Sequence, residues 1–297
     1  GDYTHLLVLA FALVFGAIGF IDDFFKVKYK RNLGLTALQK LALQLVASAV
    51  YLFVLAKMGN LTWDLYLPFA NTTVYIAPEV YILFAVFVIV GCVNAVNLTD
   101  GIDGLCSCVT FVCMLGFLSL SSFLGQFNLS IFAAALAGAL AGFLFWNFYP
   151  AKTFMGDCGS LFLGFLLGAL SVMGFSKGAT LISIFCPFLI VGIPICDTFF
   201  AIVRRSVQKK PIFQADKGHL HHCLLSCGLS HSQTVLVIYA ISLMMSVAAV
   251  LMAVLTTSQA VLIFIITLVL VLYGANKIGV LRGRAAPARV SESSVKR

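Results

Sequence analysis

The sequence predicts an all-α protein, a bundle of helices that crosses a membrane several times. Its 297 residues are 61% hydrophobic and only 10% charged, and the mean hydropathy is +1.06. A soluble domain is about half apolar and about a quarter charged. The apolar residues also lie in runs of about 20, the length that spans a bilayer as a helix. The composition therefore excludes an ordinary soluble domain. Although the formal net charge is +8, we expect the lipid bilayer as a partner and no nucleic acid.

Nine apolar runs are each long enough to form a membrane-spanning helix. They lack the alternation of strands, and a helix satisfies all backbone polar groups within its own segment. We therefore predict nine spanning helices, over residues 4–21, 37–57, 79–97, 105–124, 128–147, 160–176, 179–203, 232–255 and 258–276. Alternation in the segment 73–76 predicts a short hairpin between the second and third helices.

The basic residues predict which side of the bundle is cytoplasmic. With nine alternating helices, the basic groups at 26–31, 152, 204–217 and 277–297 fall on one side, and Lys40 lies at that end of the second helix. Only Lys57 and Lys177 fall on the other side. Cytoplasmic loops carry an excess of Lys and Arg, so we expect the N-terminus outside and the tail inside. The prediction is one membrane domain, 1–281, with cytoplasmic loops at 22–36, 94–104, 147–160 and 204–231 and a basic, disordered tail at 282–297.

The chain begins at Gly1-Asp2-Tyr3 without a methionine and enters an apolar run at once. The basic segment that opens a signal peptide is not found before this run. We therefore expect that further residues belong upstream.

The first polar cluster lies at the inner end of the first predicted helix. Asp22 and Asp23 are followed by Lys26. These side chains could bind a metal, hold a lipid phosphate through the lysine or supply a base. They could also simply cap the segment that follows.

The second polar cluster is the run 94–104, which separates two apolar segments. Asn97, Asp100 and Asp103 recur every three residues, which places them on one side if the segment is helical. Ionisable residues beside hydrocarbon are costly, so by default they mark a functional site. The alternative is a solvated turn between two helices.

The third polar cluster extends from Asn147 to Ser160. Asp157 comes just before a predicted helix, where it could cap that helix or hold a cation. The same helix N-terminus favours a bound anion such as a diphosphate. Phe154 is either a platform for a nucleotide base or an anchor at the membrane interface.

The fourth polar cluster contains three of the five histidines, at positions 219, 221 and 222. A zinc site would recruit Cys223 and Cys227, but their spacing matches no common zinc motif. Imidazoles that contact phosphate oxygens fit better, since Arg204, Arg205, Lys209 and Lys210 precede them. Most of the nine cysteines lie inside apolar runs, as small buried hydrophobic residues do.

All four clusters fall on the predicted cytoplasmic side. Carboxylate and amide oxygens are hard ligands that suit Mg²⁺, with Mn²⁺ as the alternative. Such a metal beside a membrane predicts phosphoryl transfer between a soluble nucleotide and a lipid. A cation transporter or a lipid flippase is the alternative from another class. Transporters place such residues in the middle of broken helices, however, and not at helix ends on one side.

These motifs resemble those of the polyprenyl-phosphate N-acetylhexosamine-1-phosphate transferases, which form glycosyltransferase family 4. The four clusters follow one another in the family's order, and the resemblance covers nearly the whole chain. It implies transfer of a sugar-1-phosphate from a UDP-N-acetylhexosamine to undecaprenyl phosphate, release of UMP, and dependence on Mg²⁺. It also implies the plasma membrane of a bacterium, a cytoplasmic active site, and a homodimer by family precedent alone.

The resemblance also implies roles for individual residues. Asn97 and Asp157 would bind the metal. Asp22 and Asp23 would lie at the lipid phosphate, with Asp22 as a candidate base, and Phe154 would stack on the uracil. The full expected set is Asp22, Asp23, Asp100 and His219 for catalysis, and Lys26, Asp103, Asn147, Phe154, His221 and His222 for substrate binding. Between direct attack by the lipid phosphate and a covalent aspartyl intermediate, we favour direct attack, since metal and positioning supply most of phosphoryl-transfer catalysis.

Two branches of this family differ at the histidines. The muramoyl-pentapeptide branch usually has three contiguous histidines after Met-Ala-Pro, whereas this chain has Gln-Ala-Asp-Lys-Gly-His-Leu-His-His at 214–222. That segment resembles the N-acetylglucosamine-1-phosphate branch, which starts teichoic acid, O-antigen or related glycans. The family's first helices and its first inner loop have no counterpart here. Nine helices plus two more would match the eleven that are usual in this branch.

Overall fold

Eleven α-helices and one hairpin make up the described part of the computed structural model, residues 3–31, 34–67, 72–178, 181–209 and 218–280. Two strands, β1 (Asp64–Leu67) and β2 (Thr72–Tyr75), pair antiparallel as the predicted hairpin. The predicted tail 282–297 and positions 210–217 of the fourth loop lie outside these residues. The helices are α1 Thr4–Tyr29, α2 Ala37–Lys57, α3 Pro78–Thr99, α4 Leu105–Phe123, α5 Phe127–Asn147, α6 Gly156–Gly178, α7 Leu181–Ile190, α8 Gly192–Val207, α9 Leu220–Ser226, α10 His231–Val254 and α11 Thr257–Ile278.

Eight helices in the described ranges are long and apolar enough to cross a membrane, namely α1 to α6, α10 and α11. They coincide with eight of the nine predicted spans. Length and hydropathy agree here because each run is both apolar and about 20 residues long. The prediction of a polytopic helical membrane protein is confirmed.

The remaining predicted span, 179–203, is not one helix but two. The chain breaks at Val191, between α7 and α8. Pro194 has no N–H group, so it cannot donate the helical hydrogen bond to the carbonyl of Ile190. The thiol of Cys113 on α4 donates to that carbonyl instead, at 3.0 Å. A broken helix within a bilayer requires such a replacement partner.

Helix α1 continues past its predicted end at residue 21 to Tyr29. The charged residues end the apolar run but not the helix, because Lys26 pairs with Asp22 and Asp23 one turn earlier. The predicted loop 22–36 is therefore corrected, since its first part is the end of α1.

Helix α6 packs between α1 and α3 in the centre of the bundle. Phe165 stacks on Phe15 of α1, with ring centroids 4.7 Å apart. On the other side, a Cβ atom on Gly164 would lie 2.6 Å from the Cα atom of Val93, and one on Gly168 would lie 2.9 Å from that of Ile89. Two glycines four residues apart thus let α3 and α6 touch backbone to backbone. As a result, the C-terminal ends of α1 and α3 lie beside the N-terminal end of α6.

Candidate active site

The end of α1 lies against the first turn of α6. A Cβ atom on Gly19 would come within 2.2 Å of the carbonyl oxygen of Asp157, so only glycine permits this approach. One turn further along α1, the Asp23 carboxylate accepts a hydrogen bond from the backbone N–H of Cys158 at 3.2 Å. Asp23 therefore satisfies one of the free N–H groups at the start of α6. The pair does not cap the segment that follows it, because α1 continues to Tyr29, and Asp23 instead contacts the start of α6.

Three carboxylates and two lysines form the centre of the site. Lys26 Nζ lies 2.6 Å from Asp22, 3.2 Å from Asp23 and 2.8 Å from Asp157. Lys40 Nζ, from α2, lies 2.7 Å from the same Asp157 oxygen that Lys26 contacts. The ammonium groups offset the repulsion between carboxylates that lie so close together.

These carboxylates fit a divalent cation. Asp22, Asp23 and Asp157 each offer an oxygen, and these atoms all lie within 4.8 Å of one another. Within the described ranges this is the only group of three acidic, histidine or cysteine side chains close enough to share a metal ion. The two lysine ammonium groups already lie among the same oxygens. Hard oxygen donors of this kind suit Mg²⁺ or Mn²⁺.

Asn97 of α3 contacts Asp157, and the binding of a metal by these two residues stays a prediction. Its Nδ2 group donates to Asp157 Oδ1 and to Ser160 Oγ, both at 2.8 Å. Asn97 thus orients the carboxylate that both lysines contact. Its amide nitrogen faces Asp157, so only the Oδ1 atom could bind a metal.

Asp100 ends α3 close to the other acids. Burial, together with the negative charges of Asp157, Asp23 and Asp103, raises the pKa of Asp100 to about 6. Asp103 accepts a hydrogen bond from the backbone N–H of Ala151 at 3.0 Å. The second and third polar clusters are therefore joined directly.

Asn147 and Phe154 occupy different surroundings in the third cluster. Asn147 is buried, accepts a hydrogen bond from the Ser107 hydroxyl, and donates one to the carbonyl of Thr153 at 2.9 Å. Its side chain thus holds the loop before α6. The Phe154 ring is 74% exposed on the same loop, as either a stacking platform or an interface anchor would be. Their roles in substrate binding stay predictions.

The histidines join this site through α9. A Cβ atom on Gly101 would lie 2.5 Å from His221 Nε2, so His221 packs directly under the loop between α3 and α4. The rings of His221 and His222 lie 4.2 Å apart, and those of His219 and His221 lie 6.0 Å apart and nearly parallel. Burial, with smaller contributions from His222 and His219, lowers the pKa of His221 to about 4. His221 is therefore neutral at pH 7.

Sequence reasoning missed two residues at the site. In the sequence, Lys40 was used only to predict which side of the membrane is cytoplasmic, although its ammonium group contacts Asp157. Asp197 lies inside the predicted span 179–203 and contacts His219 at 2.9 Å. A carboxylate within an apolar span is itself a signal of function, and that signal could have found Asp197.

Comparisons with known proteins show which family the chain resembles. The model of Glycosyl transferase family 4 matches residues 5–175. The chain is 38% identical over 249 residues to a probable undecaprenyl-phosphate N-acetylglucosaminyl 1-phosphate transferase of Bacillus subtilis. This match covers 83% of this chain and 65% of that protein. The chain is 41% identical over 255 residues to a phospho-N-acetylmuramoyl-pentapeptide-transferase of Carboxydothermus hydrogenoformans, covering 82% of this chain and 75% of that protein. A relative with the same name in Clostridioides difficile is 37% identical over 236 residues, or 78% of this chain and 70% of that protein.

Proposed function

Since the chain belongs to glycosyl transferase family 4, we propose that it transfers N-acetylglucosamine-1-phosphate from a UDP-sugar to undecaprenyl phosphate and releases UMP. The observation that carries the proposal is the cluster of Asp22, Asp23 and Asp157 with Lys26 and Lys40. It combines oxygen ligands for a divalent cation with fixed positive charges for phosphate groups. Phosphoryl transfer needs these two features, because it depends mainly on positioning and charge stabilisation.

The choice of sugar rests on the histidine segment. The sequence at 219–222 is His-Leu-His-His, which resembles the N-acetylglucosamine-1-phosphate branch. The B. subtilis relative has that activity in its name, while other relatives of similar identity are named for muramoyl-pentapeptide transfer. Muramoyl-pentapeptide transfer therefore stays the second candidate.

In the proposed reaction, an oxygen of the lipid phosphate attacks the sugar-bearing phosphorus of the nucleotide. The bond from that phosphorus to the oxygen of the uridine-bearing phosphate breaks, and UMP leaves with that oxygen. Lys26 and Lys40 hold phosphate oxygens, Asp22 takes a proton from the lipid phosphate if it carries one, and Phe154 stacks on the uracil. A divalent cation held by Asp157 and Asn97, with Asp22 or Asp23 nearby, would neutralise charge on the diphosphate.

The site is proposed to face the cytoplasm of a bacterial plasma membrane. UDP-sugars are made in the cytoplasm, and the basic residues concentrate at the end of the bundle that carries the site. Undecaprenyl phosphate would reach the acids of α1 from the surrounding bilayer. A homodimer stays an expectation from family precedent.

The proposal is tested by UMP release from purified protein with undecaprenyl phosphate and Mg²⁺. UDP-N-acetylglucosamine and UDP-N-acetylmuramoyl-pentapeptide are supplied in separate reactions. We expect UMP from the first alone, and none after EDTA until Mg²⁺ or Mn²⁺ is restored. Turnover with the second alone would establish the muramoyl-pentapeptide reaction. Folded protein that releases no UMP with either nucleotide would overturn the proposal and favour a transporter or flippase.

A further inference from the structure

Asp197 of α8 and His219 form a buried pair beside the histidine segment. The His219 Nδ1 and Asp197 Oδ2 atoms lie 2.9 Å apart, and the two side chains are 7% and 8% exposed. The second carboxylate oxygen, Oδ1, accepts the backbone N–H of Leu220 at 2.7 Å. One carboxylate therefore contacts both the ring of His219 and the first residue of α9.

We propose that Asp197 is a positioning residue, which sets the tautomer and the orientation of His219 for the transferase reaction. The inference rests on the proposed function. A carboxylate offers only acceptor atoms, so the contact requires the proton of the neutral ring to lie on Nδ1. The Nε2 atom is then left with its lone pair for the substrates. When the ring is protonated, Nε2 becomes a donor to a phosphate oxygen, and Asp197 balances the new charge.

The bond to Leu220 extends this role to the rest of the histidine segment. It holds the start of α9, and His221 on that helix packs against Gly101. The loop at Gly101 carries Asp100, whose carboxylate interacts with that of Asp157. Asp197 thus fixes the position of the histidines relative to the carboxylate centre, although it contacts no carboxylate of that centre.

The change Asp197→Asn keeps the size of the side chain and alters its hydrogen bonding. If the amide oxygen accepts the Leu220 N–H, the amide nitrogen must face His219 Nδ1 and donate to it. The proton of the neutral ring then moves to Nε2, and the lone pair is lost from the substrate side. We expect kcat to fall about 10- to 100-fold, with the KM for the UDP-sugar changed by less than about twofold, because the lost interaction acts mainly in the transition state.

A double-mutant cycle separates positioning from a merely structural role. In a His219→Gln background, Asp197→Asn should reduce kcat by less than about twofold further, since residues that act as a unit are not additive. Losses that multiply in the double variant would overturn the proposal. Thr198→Val is the matched control, because Thr198 Oγ1 is buried next to Asp197 without a hydrogen-bond partner in the described residues. It should behave as the wild type does.

A second measurement does not depend on the folding of any Asp197 variant. The ¹⁵N chemical shifts of labelled histidines in the wild-type protein report the tautomer at a pH where the rings are neutral. The His219 signals are assigned by their loss in His219→Gln. A proton on Nδ1 supports the proposal, and a proton on Nε2 overturns it. This measurement needs no turnover, so its result does not depend on the proposed function. The proposed function is contradicted by a different result, namely wild-type protein that releases no UMP.

Discussion

Asp157 connects three helices through its two carboxylate oxygens. Oδ2 contacts Lys26 of α1 and Lys40 of α2, and Oδ1 accepts a hydrogen bond from Asn97 of α3. Each partner supplies positive charge or an N–H group, and none repels the carboxylate. This is the position where loss of charge should matter most.

We expect Asp157→Asn to lower UMP release by about 100-fold or more, the scale seen when one group that stabilises transition-state charge is removed. The amide keeps the size of the side chain but loses its charge. UMP release at saturating substrates measures the effect. The control is Asp64→Asn, a change to an exposed carboxylate at the start of β1, which should leave turnover unaltered. Turnover near the wild-type level in Asp157→Asn would contradict a role for this residue in the proposed metal site.

The raised pKa of Asp100 predicts how the stability of the protein changes with pH. Its pKa of about 6 in the folded protein lies above the ordinary 3.8, because of burial and the nearby acids. The folded state therefore holds a proton that the unfolded state releases. This contribution to stability is complete below about pH 4 and is lost as the pH rises through about 6.

We expect Asp100→Asn to stabilise the protein at pH 8 relative to the wild type and to have little effect at pH 4. Thermal unfolding in EDTA at both values measures the difference, without a metal that would alter the titration. The same amide should abolish turnover if Asp100 acts as a charged catalytic group. Equal effects on stability at pH 4 and pH 8 would contradict the raised pKa.

At the scale of the helices, the contact of α1 with α6 aligns the acids. The backbone atoms of Asp157 and Cys158 lie 2.2–2.6 Å from the place where a Cβ atom on Gly19 would stand. Backbone atoms in the first turn of a helix cannot move aside as the end of a flexible side chain can.

We therefore expect Gly19→Ala to displace α1, to lower stability by about 1–3 kcal/mol, as overpacking typically does, and to reduce UMP release. Thermal unfolding and turnover are measured together. Gly138→Ala on α5 is the matched control, since a Cβ atom there would meet no atom within 4 Å. If both alanine variants behave alike, close packing at Gly19 is not what aligns the acids.

Much of this architecture is predictable because a membrane leaves the chain few choices. Apolar runs of spanning length must form helices, and the hairpin has its own alternation. The break at Val191 was missed because hydropathy measures only how apolar a segment is. It does not report the backbone hydrogen bond that Pro194 cannot donate. The end of α1 was misplaced because charged residues that pair along a helix do not end it. Lys40 was missed because its partner Asp157 is 117 residues away in sequence.

At the scale of the whole molecule, the side of the membrane on which the site lies can be measured. All nine cysteines lie in the described ranges, and only Cys227 is exposed. It follows α9, beside the histidine segment. Asp64 lies in the hairpin between α2 and α3, at the ends of these helices away from the site.

We expect a membrane-impermeant maleimide to label Cys227 only after the membrane is opened. In a variant with Cys227→Ala and Asp64→Cys, the same reagent should label intact spheroplasts. Labelling is detected by a mass shift of the purified protein. The reverse pattern would place the site outside the cell and contradict a cytoplasmic UDP-sugar as substrate.

Lys26 and Lys40 also affect how the helices of this protein can assemble before a cation binds. Three carboxylates meet two ammonium groups, so the centre carries one uncompensated negative charge before any cation arrives. We therefore expect the helices to assemble without a bound metal, because each of the three acids has a positively charged partner within the chain. A cation that bound afterwards, as proposed, would displace one of these ammonium groups from the Asp157 carboxylate. If the site binds a metal as proposed, assembly of the bundle and binding of that metal would be separate events.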